Sequence, residues 1–183
     1  MNFIKKNLGL VITLAIVAVV LIWGVSGYNG LVSMDEGVQN KWADVETQYQ
    51  RRADLIPNLV NTVKGYAAHE KETLQSVTDA RANATSISID PSTATPQPME
   101  AWMKAQTEVG SALGRLIAIS ENYPDLKANQ NFMELQKQLE GTENRISTER
   151  RKYNEEVRTY NASIRRFPTN LLAGMFGFDK MTM

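Results

Sequence analysis

Eighteen consecutive uncharged residues, Leu8 to Val25, constrain this chain more than any other feature. At helical rise the run LGLVITLAIVAVVLIWGV spans ~27 Å, close to the thickness of a bilayer's hydrocarbon core. Trp23 and Tyr28 stand at its far end, where amphipathic aromatics favour the interface, and Lys5 and Lys6 flank its near end. Beyond the run the first charges are Asp35 and Glu36, and the first basic residue is Lys41. The positive-inside bias therefore predicts a single-pass anchor over 8–27, a cytoplasmic N-terminus at 1–7 and a body on the other side. A cleaved signal peptide is the rival reading. Its apolar region would be long, Gly24, Ser26 and Gly27 make a poor cleavage site, and a chain without cysteine has no lipobox.

Composition narrows what the body can be. Lys5 and Lys6 account for two of the 20 basic residues, which leaves 18 against 20 acidic ones in the remainder. A near-neutral, slightly acidic body lacks the basic face of a nucleic-acid binder. The absence of cysteine removes disulfides, thiol catalysis and thiolate metal sites.

Apolar residues then recur at helical spacing. Val38, Val45, Leu59 and Tyr66 form one heptad-spaced row, and Trp42, Tyr49, Ile56, Val63 and Val77 form the next. These rows predict a helix from Leu31 to about Ala84, ~80 Å long if unbroken. Pro57 interrupts it without a turn cluster around it, so a kink is expected there; if the chain reverses instead, the bundle gains a fourth helix. Thr85 to Pro98, with three prolines and six Ser/Thr, reads as a linker over 85–98. A second helix follows, with Glu100 in its first turn and Trp102, Val109, Leu113, Leu116 and Ile119 on one face. It should stop at Tyr123, because Pro124 can open the next helix. A third helix is expected from Asp125 to about Arg166, with Phe132, Leu135, Leu139, Ile146, Tyr153, Val157, Tyr160 and Ile164 as its stripe. The short connection makes the second and third helices antiparallel neighbours. No strand signal survives. The fold class expected is all-α: an elongated up-and-down antiparallel bundle over 28–166 behind a transmembrane helix, with an apolar tail at 167–183.

Few residues suggest chemistry. The single histidine, His69, adjoins Glu70, but adjacent helical side chains diverge by about 100°, so the two do not share a metal. Arg52 and Glu70 fall inside the apolar rows, and Arg81, Glu121, Glu143 and Arg150 are further charged candidates. A charge within such a stripe costs several kcal/mol unless paired. Interhelical ion pairs that set register are the expected role, and a carboxylate metal or acid/base site is the alternative. The Glu plus E-x-x-H signature of bundle di-metal sites is absent. Tyr-Asn occurs at Tyr28, Tyr153 and Tyr160; the last two share a helix face, as a recognition strip or, more simply, as core rings with partnered hydroxyls. The tail, with Leu171, Leu172, Met175, Phe176 and Phe178, is too short to span a bilayer; capping the bundle, touching lipid and binding a partner are all open to it.

The ordered motifs resemble the bacterial LemA family over almost the whole length. They are Y-N-x-L-V from Tyr28, the stretch from Gln50 to Val60 that contains Arg52 and Pro57, and V-K-G-Y-A-A-H-E from Val63 to Glu70. Then come Ala80-Arg81-Ala82, S-E-N-Y-P-D-L-K-A from Ser120, L-x-x-T-E-N-R-I from Leu139, and R-x-Y-N-x-x-V-x-x-Y-N from Arg151, followed by Phe167-Pro168. The resemblance implies an N-terminal anchor in the cytoplasmic membrane and an elongated helical body outside the cytoplasm. It brings no catalytic residue and no cofactor. Family members are often encoded near membrane proteases. The expected function is a non-catalytic envelope scaffold or self-assembling module, held in the bilayer through residues 8–27. The alternatives are an adaptor for a membrane protease or other membrane enzyme and, more weakly, a metal enzyme using Glu70, Glu121 and Glu143.

Overall fold

The computed structural model describes residues 7–183, so Lys5 and Lys6 lie outside it. The fold is all-helical, with no strand among the described residues. Helix α1 runs unbroken over Leu8–Tyr66. Its first part is long and apolar enough to cross a membrane, and none of that segment is buried by the rest of the chain. From Leu31 to Val63 the same helix buries one stripe: Leu31, Val38, Trp42, Val45, Tyr49, Arg52, Ala53, Ile56, Leu59 and Val63. The two predicted rows are therefore the buried face up to Val63, while Tyr66 stays exposed.

The chain does reverse, but not at Pro57. Pro57 sits on the exposed side of α1, and the helix passes through it. The reversal comes at Ala67–Glu70, where the Ala67 N–H still bonds Val63 O at 2.8 Å, and α2 (Lys71–Ser86) runs back along α1. One helix from Leu31 to Ala84 is thus two, and the break that would have added a fourth helix at Pro57 does not occur; the added helix comes from the reversal ten residues later. A single proline on the solvent side costs one helical hydrogen bond, which flanking turns tolerate. At Ala67 a small apolar residue is buried in the turn, and that packing ends the helix.

Helix α3 covers Pro96–Ser120 and opens on prolines in its first turn, after an extended Thr95. The expected linker shrinks accordingly, and Glu100 falls just past the first turn rather than in it; proline needs no N–H there, so Pro96 and Pro98 begin the helix instead of preceding it. A four-residue turn, α4 (Pro124–Lys127), precedes α5 (Gln130–Ser163), whose Asn129 side chain accepts from the Phe132 N–H at 3.0 Å. The third helix therefore starts later than Asp125, at a genuine N-cap. Helix α6 (Thr169–Phe176) follows and is ended by Gly177 in the left-handed region at φ 73.

Antiparallel α1 and α5 form the long spine. At the tip, away from the apolar segment, α2 packs on α1, and α3 packs on α2. Two apolar clusters result. The tip cluster includes Ile56, Leu59, Val63, Val77, Leu113, Leu116, Leu126 and Phe132. The base cluster includes Leu31, Trp42, Trp102, Tyr153, Tyr160, Leu172 and Met181. The linker is part of the base core: Ile89 is buried, and its carbonyl accepts from Trp42 Nε1 at 3.1 Å.

Candidate functional site

The charged candidates do not form one site. Arg52 from α1 is 3% exposed, and its guanidinium ties three helices together. It donates to Glu143 Oε1 on α5 at 2.9 Å, and to Gln106 O and Oε1 on α3 at 2.9 and 2.8 Å. Its carbon also lies 4.9 Å from the centre of the Tyr49 ring, a cation–π distance. The expected interhelical ion pair is present here, and the partner is Glu143, whose side chain keeps 44% of its surface in water. Gln106 was not legible as a partner. Its signal is a polar residue on the buried face of α3, one turn from Trp102.

Beside this node α3 and α5 leave a groove of about 640 Å³ open to solvent. Arg52, Arg150, Arg151 and Arg158 line it against one carboxylate, Glu143. Burial raises the Tyr49 pKa above its ordinary value, and the Arg150 and Arg52 charges partly offset this. Chemically the groove is a cationic, partly aromatic trough.

Arg81 answers Pro57. A proline at that position offers no N–H to the carbonyl four residues earlier, which is Ala53 O. Arg81 Nε, from α2, donates to that oxygen at 2.8 Å. Arg81 is thus no ion-pair partner; it satisfies a backbone acceptor that the proline orphans. Two distant motifs become one device that docks α2 on α1. Arg81→Leu should cost about 2 kcal/mol, since it leaves a part-buried carbonyl unpaired. In a Pro57→Ala background, where the helical bond is restored, the same change should cost clearly less. Denaturant titrations of the four proteins in a double-mutant cycle measure the difference.

Glu70 is not in an apolar stripe, because the helix that would place it there has ended. It caps the turn at the tip, where Oε1 accepts from the Tyr123 hydroxyl at 3.0 Å. That hydrogen bond holds the Tyr123 pKa above its ordinary value. Nearby, Asn129 Nδ2 donates to the Tyr66 hydroxyl at 2.9 Å. Glu121 pairs with Lys127 on the exposed surface, and His69 is exposed in the same turn. Glu70, Glu121 and Glu143 therefore do not converge, and no His/Asp/Glu group among the described residues has metal-binding geometry.

The Tyr-Asn face is occupied by the chain's own C-terminus. The Tyr153 hydroxyl donates to Thr182 O at 2.9 Å. The Asn161 amide clamps Met181 from both sides, donating to its O and accepting from its N at 2.9 Å. The tail caps the bundle base: α6 packs Leu172 and Ala173 into the core, and Met181 is buried. Asn161→Ala should free the last residues with a loss of about 2 kcal/mol, for two buried hydrogen bonds. Limited carboxypeptidase digestion should then shorten the variant faster than the parent.

The same tyrosines set an alkaline limit. Burial pushes the Tyr153 hydroxyl up to about 12, and burial with the Asp35 and Asp179 charges does the same to Tyr160. An unfolded tyrosine ionises near ~10, so the folded state holds these protons more tightly. The stability they supply is complete below about pH 10 and is lost as pH rises through about 12. Urea titrations across that window should show a steeper loss in the parent than in the Tyr153→Phe/Tyr160→Phe double variant.

Comparison with known proteins agrees with these motifs. A family model described as LemA family matches residues 41–183. Magnetosome protein MamQ 2 of Paramagnetospirillum magneticum is 31% identical over 170 residues, covering 84% of this chain and 62% of the relative. Magnetosome protein MamQ of Magnetospirillum gryphiswaldense is 30% identical over 84% of this chain and 63% of its own length. Protein LemA of Metamycoplasma hominis is 27% identical over 79% of this chain and 63% of the relative. The chain thus spans a little under two thirds of the length of the curated relatives it matches.

Proposed function

This chain belongs to the LemA family, and from that premise we propose that it is a non-catalytic scaffold of a bacterial cytoplasmic membrane, spanning the bilayer once with its body on the extracytoplasmic side. One observation carries the reading: the apolar segment and the bundle spine are the same 59-residue helix. Such a helix is ~88 Å long and contains no loop between its apolar part and the tip. A hinge-free strut of this kind fixes the height and rotation of whatever it presents, which suits assembly better than turnover.

Self-assembly needs a surface, and uncovered apolar rows on the body do not provide it. From Leu31 to Val63 the apolar rows of α1 are covered by α5 and by the α2 reversal. Homo-oligomerisation would run through the exposed apolar part of α1. Crosslinking of the full chain in detergent and in lipid tests it, with concentration-dependent oligomers expected. A single monomeric species at every concentration would remove self-assembly from the proposal.

The cationic α3–α5 groove favours a second reading, an adaptor that receives an acidic segment of a membrane enzyme such as a protease. The Tyr-Asn face is taken by the tail, so in this reading the contact is the groove rather than that face. Arg151→Glu with Arg158→Glu should abolish that association while leaving the melting curve unchanged. A partner set unaffected by both substitutions rules the groove out.

A further inference from the structure

Helix α6 combines a docked face and a bare one. Leu172 and Ala173 point into the base core, whereas Leu171 and Met175 point outward, and Met175 keeps 76% of its surface exposed. Phe167, immediately before the helix, is 80% exposed, and Phe176 is more than half exposed although it packs edge-on against Tyr28 at 4.8 Å. These are large apolar side chains in one short segment, and monomeric soluble proteins rarely leave such a contiguous patch to water.

The place of the patch says what covers it. Helix α6 is held against α1 at Gly27, Tyr28 and Leu31. A Cβ on Gly27 would collide with Leu172 Cδ1, and Gly177 turns the chain so that Phe178 returns to Tyr28 at 5.8 Å. That is the level at which the apolar segment of α1 ends, marked by Trp23 and Tyr28. The bare face of α6 therefore continues the exposed apolar surface of α1 rather than standing apart from it. Arg165 and Arg166, both exposed, precede Phe167, where long cationic side chains can reach upward to phosphates while the apolar residues stay below.

We infer that α6 is an interfacial membrane helix: Phe167, Leu171 and Met175 insert beside α1 at the boundary of headgroups and acyl chains, with Arg165 and Arg166 against lipid phosphates. This rests on α1 spanning the bilayer as proposed above. It adds a second contact that prevents the strut from tilting or turning freely. Because Asn161 and Tyr153 hold the segment beyond α6, the contact is coupled to α5 as well as to α1.

The chain has no cysteine, so single labels are clean. Met175→Cys, Leu171→Cys, Val19→Cys and Lys71→Cys variants of the full chain are labelled with an environment-sensitive fluorophore. They are reconstituted in vesicles of phosphatidylethanolamine and phosphatidylglycerol, with or without lipids that carry an acyl-chain nitroxide. Circular dichroism melts confirm that each variant folds like the parent. Labels at 171 and 175 should emit blue-shifted light and be quenched several-fold more by nitroxide lipid than by aqueous iodide, as at 19 and opposite to 71. If 19 is quenched by lipid while 171 and 175 answer only to iodide, the inference falls and the membrane span stands. If 19 also answers only to iodide, the span itself fails. If 171 and 175 are shielded from both quenchers and Met175→Cys forms a disulfide between copies, a second chain covers α6 and the inference is equally overturned.

Discussion

Arg52→Ala should destabilise the body by about 3 kcal/mol, because it strips a buried charge from a three-helix junction. The loss comes less from the ion pair than from what is left behind. Glu143 is almost half exposed and can rehydrate, so its charge is not stranded. The Gln106 side-chain oxygen is buried against the vacated guanidinium and loses its donor, whereas the Gln106 carbonyl keeps only its bond within α3. Glu143→Gln should accordingly cost only about 1 kcal/mol, the range of a pair open to water. Replacing Arg52 and Gln106 together with Met and Leu should recover most of the single-variant loss, since apolar groups of similar volume need no partners. Guanidinium midpoints of the full chain in detergent micelles separate these three outcomes. An Arg52→Ala variant as stable as the parent would show that the junction does not hold the helices together.

Trp42→Ala should be the most damaging single change, at about 4 kcal/mol. The indole is buried where α1, α3, α5 and the linker meet, with ring centres 4.9 Å from Trp102 and 5.2 Å from Tyr153. Tyr49 in turn packs edge-on against Trp102 at 4.7 Å. Truncation opens a cavity among rings that cannot collapse into it without leaving their own partners. Trp42→Phe keeps most of the volume and loses the bond to Ile89 O, so about 1–2 kcal/mol is expected. The two variants should differ in a second readout. Phe leaves the linker's proteolysis rate raised but modest, and Ala raises it further, because it removes both the bond to Ile89 and the indole that packs in the same cluster. Equal stability losses would assign the effect to the hydrogen bond rather than to packing.

Much of this architecture was legible before any coordinates. The apolar run, the heptad rows of α1 and the α5 stripe are periodic over many turns, and burial follows such periods wherever a complementary helix exists. The Arg52 charge inside a row announced a paired cation for the same reason. What failed was local. The end of α1 depends on Ala67 fitting a buried turn, and a small residue at that point carries no signal distinct from helix interior. Once the chain reverses there, Glu70 leaves its row and Val77 reaches the core from a different helix.

The candidate roles divide in the same way. That Arg52 needed a partner follows from the cost of burying a charge, which depends only on the pattern. That the partners are Glu143 and Gln106 depends on the register between helices, which no single stripe encodes. Arg81 looked like one more charge for a pair, and only three-dimensional proximity reveals that it serves the carbonyl freed by Pro57. Of the Tyr-Asn pairs, Tyr153 and Tyr160 bury their rings and Tyr28 does not, while the tail that takes up Tyr153 and Asn161 lies 29 and 20 residues further along the chain. By itself the sequence determined which surfaces must be hidden and which segment is long and apolar enough to cross a bilayer, because hydrophobicity and periodicity are properties of the chain alone. Tertiary structure alone decided which polar groups meet, since hydrogen bonds are short and directional and a shift of one turn would give every one of them a different partner.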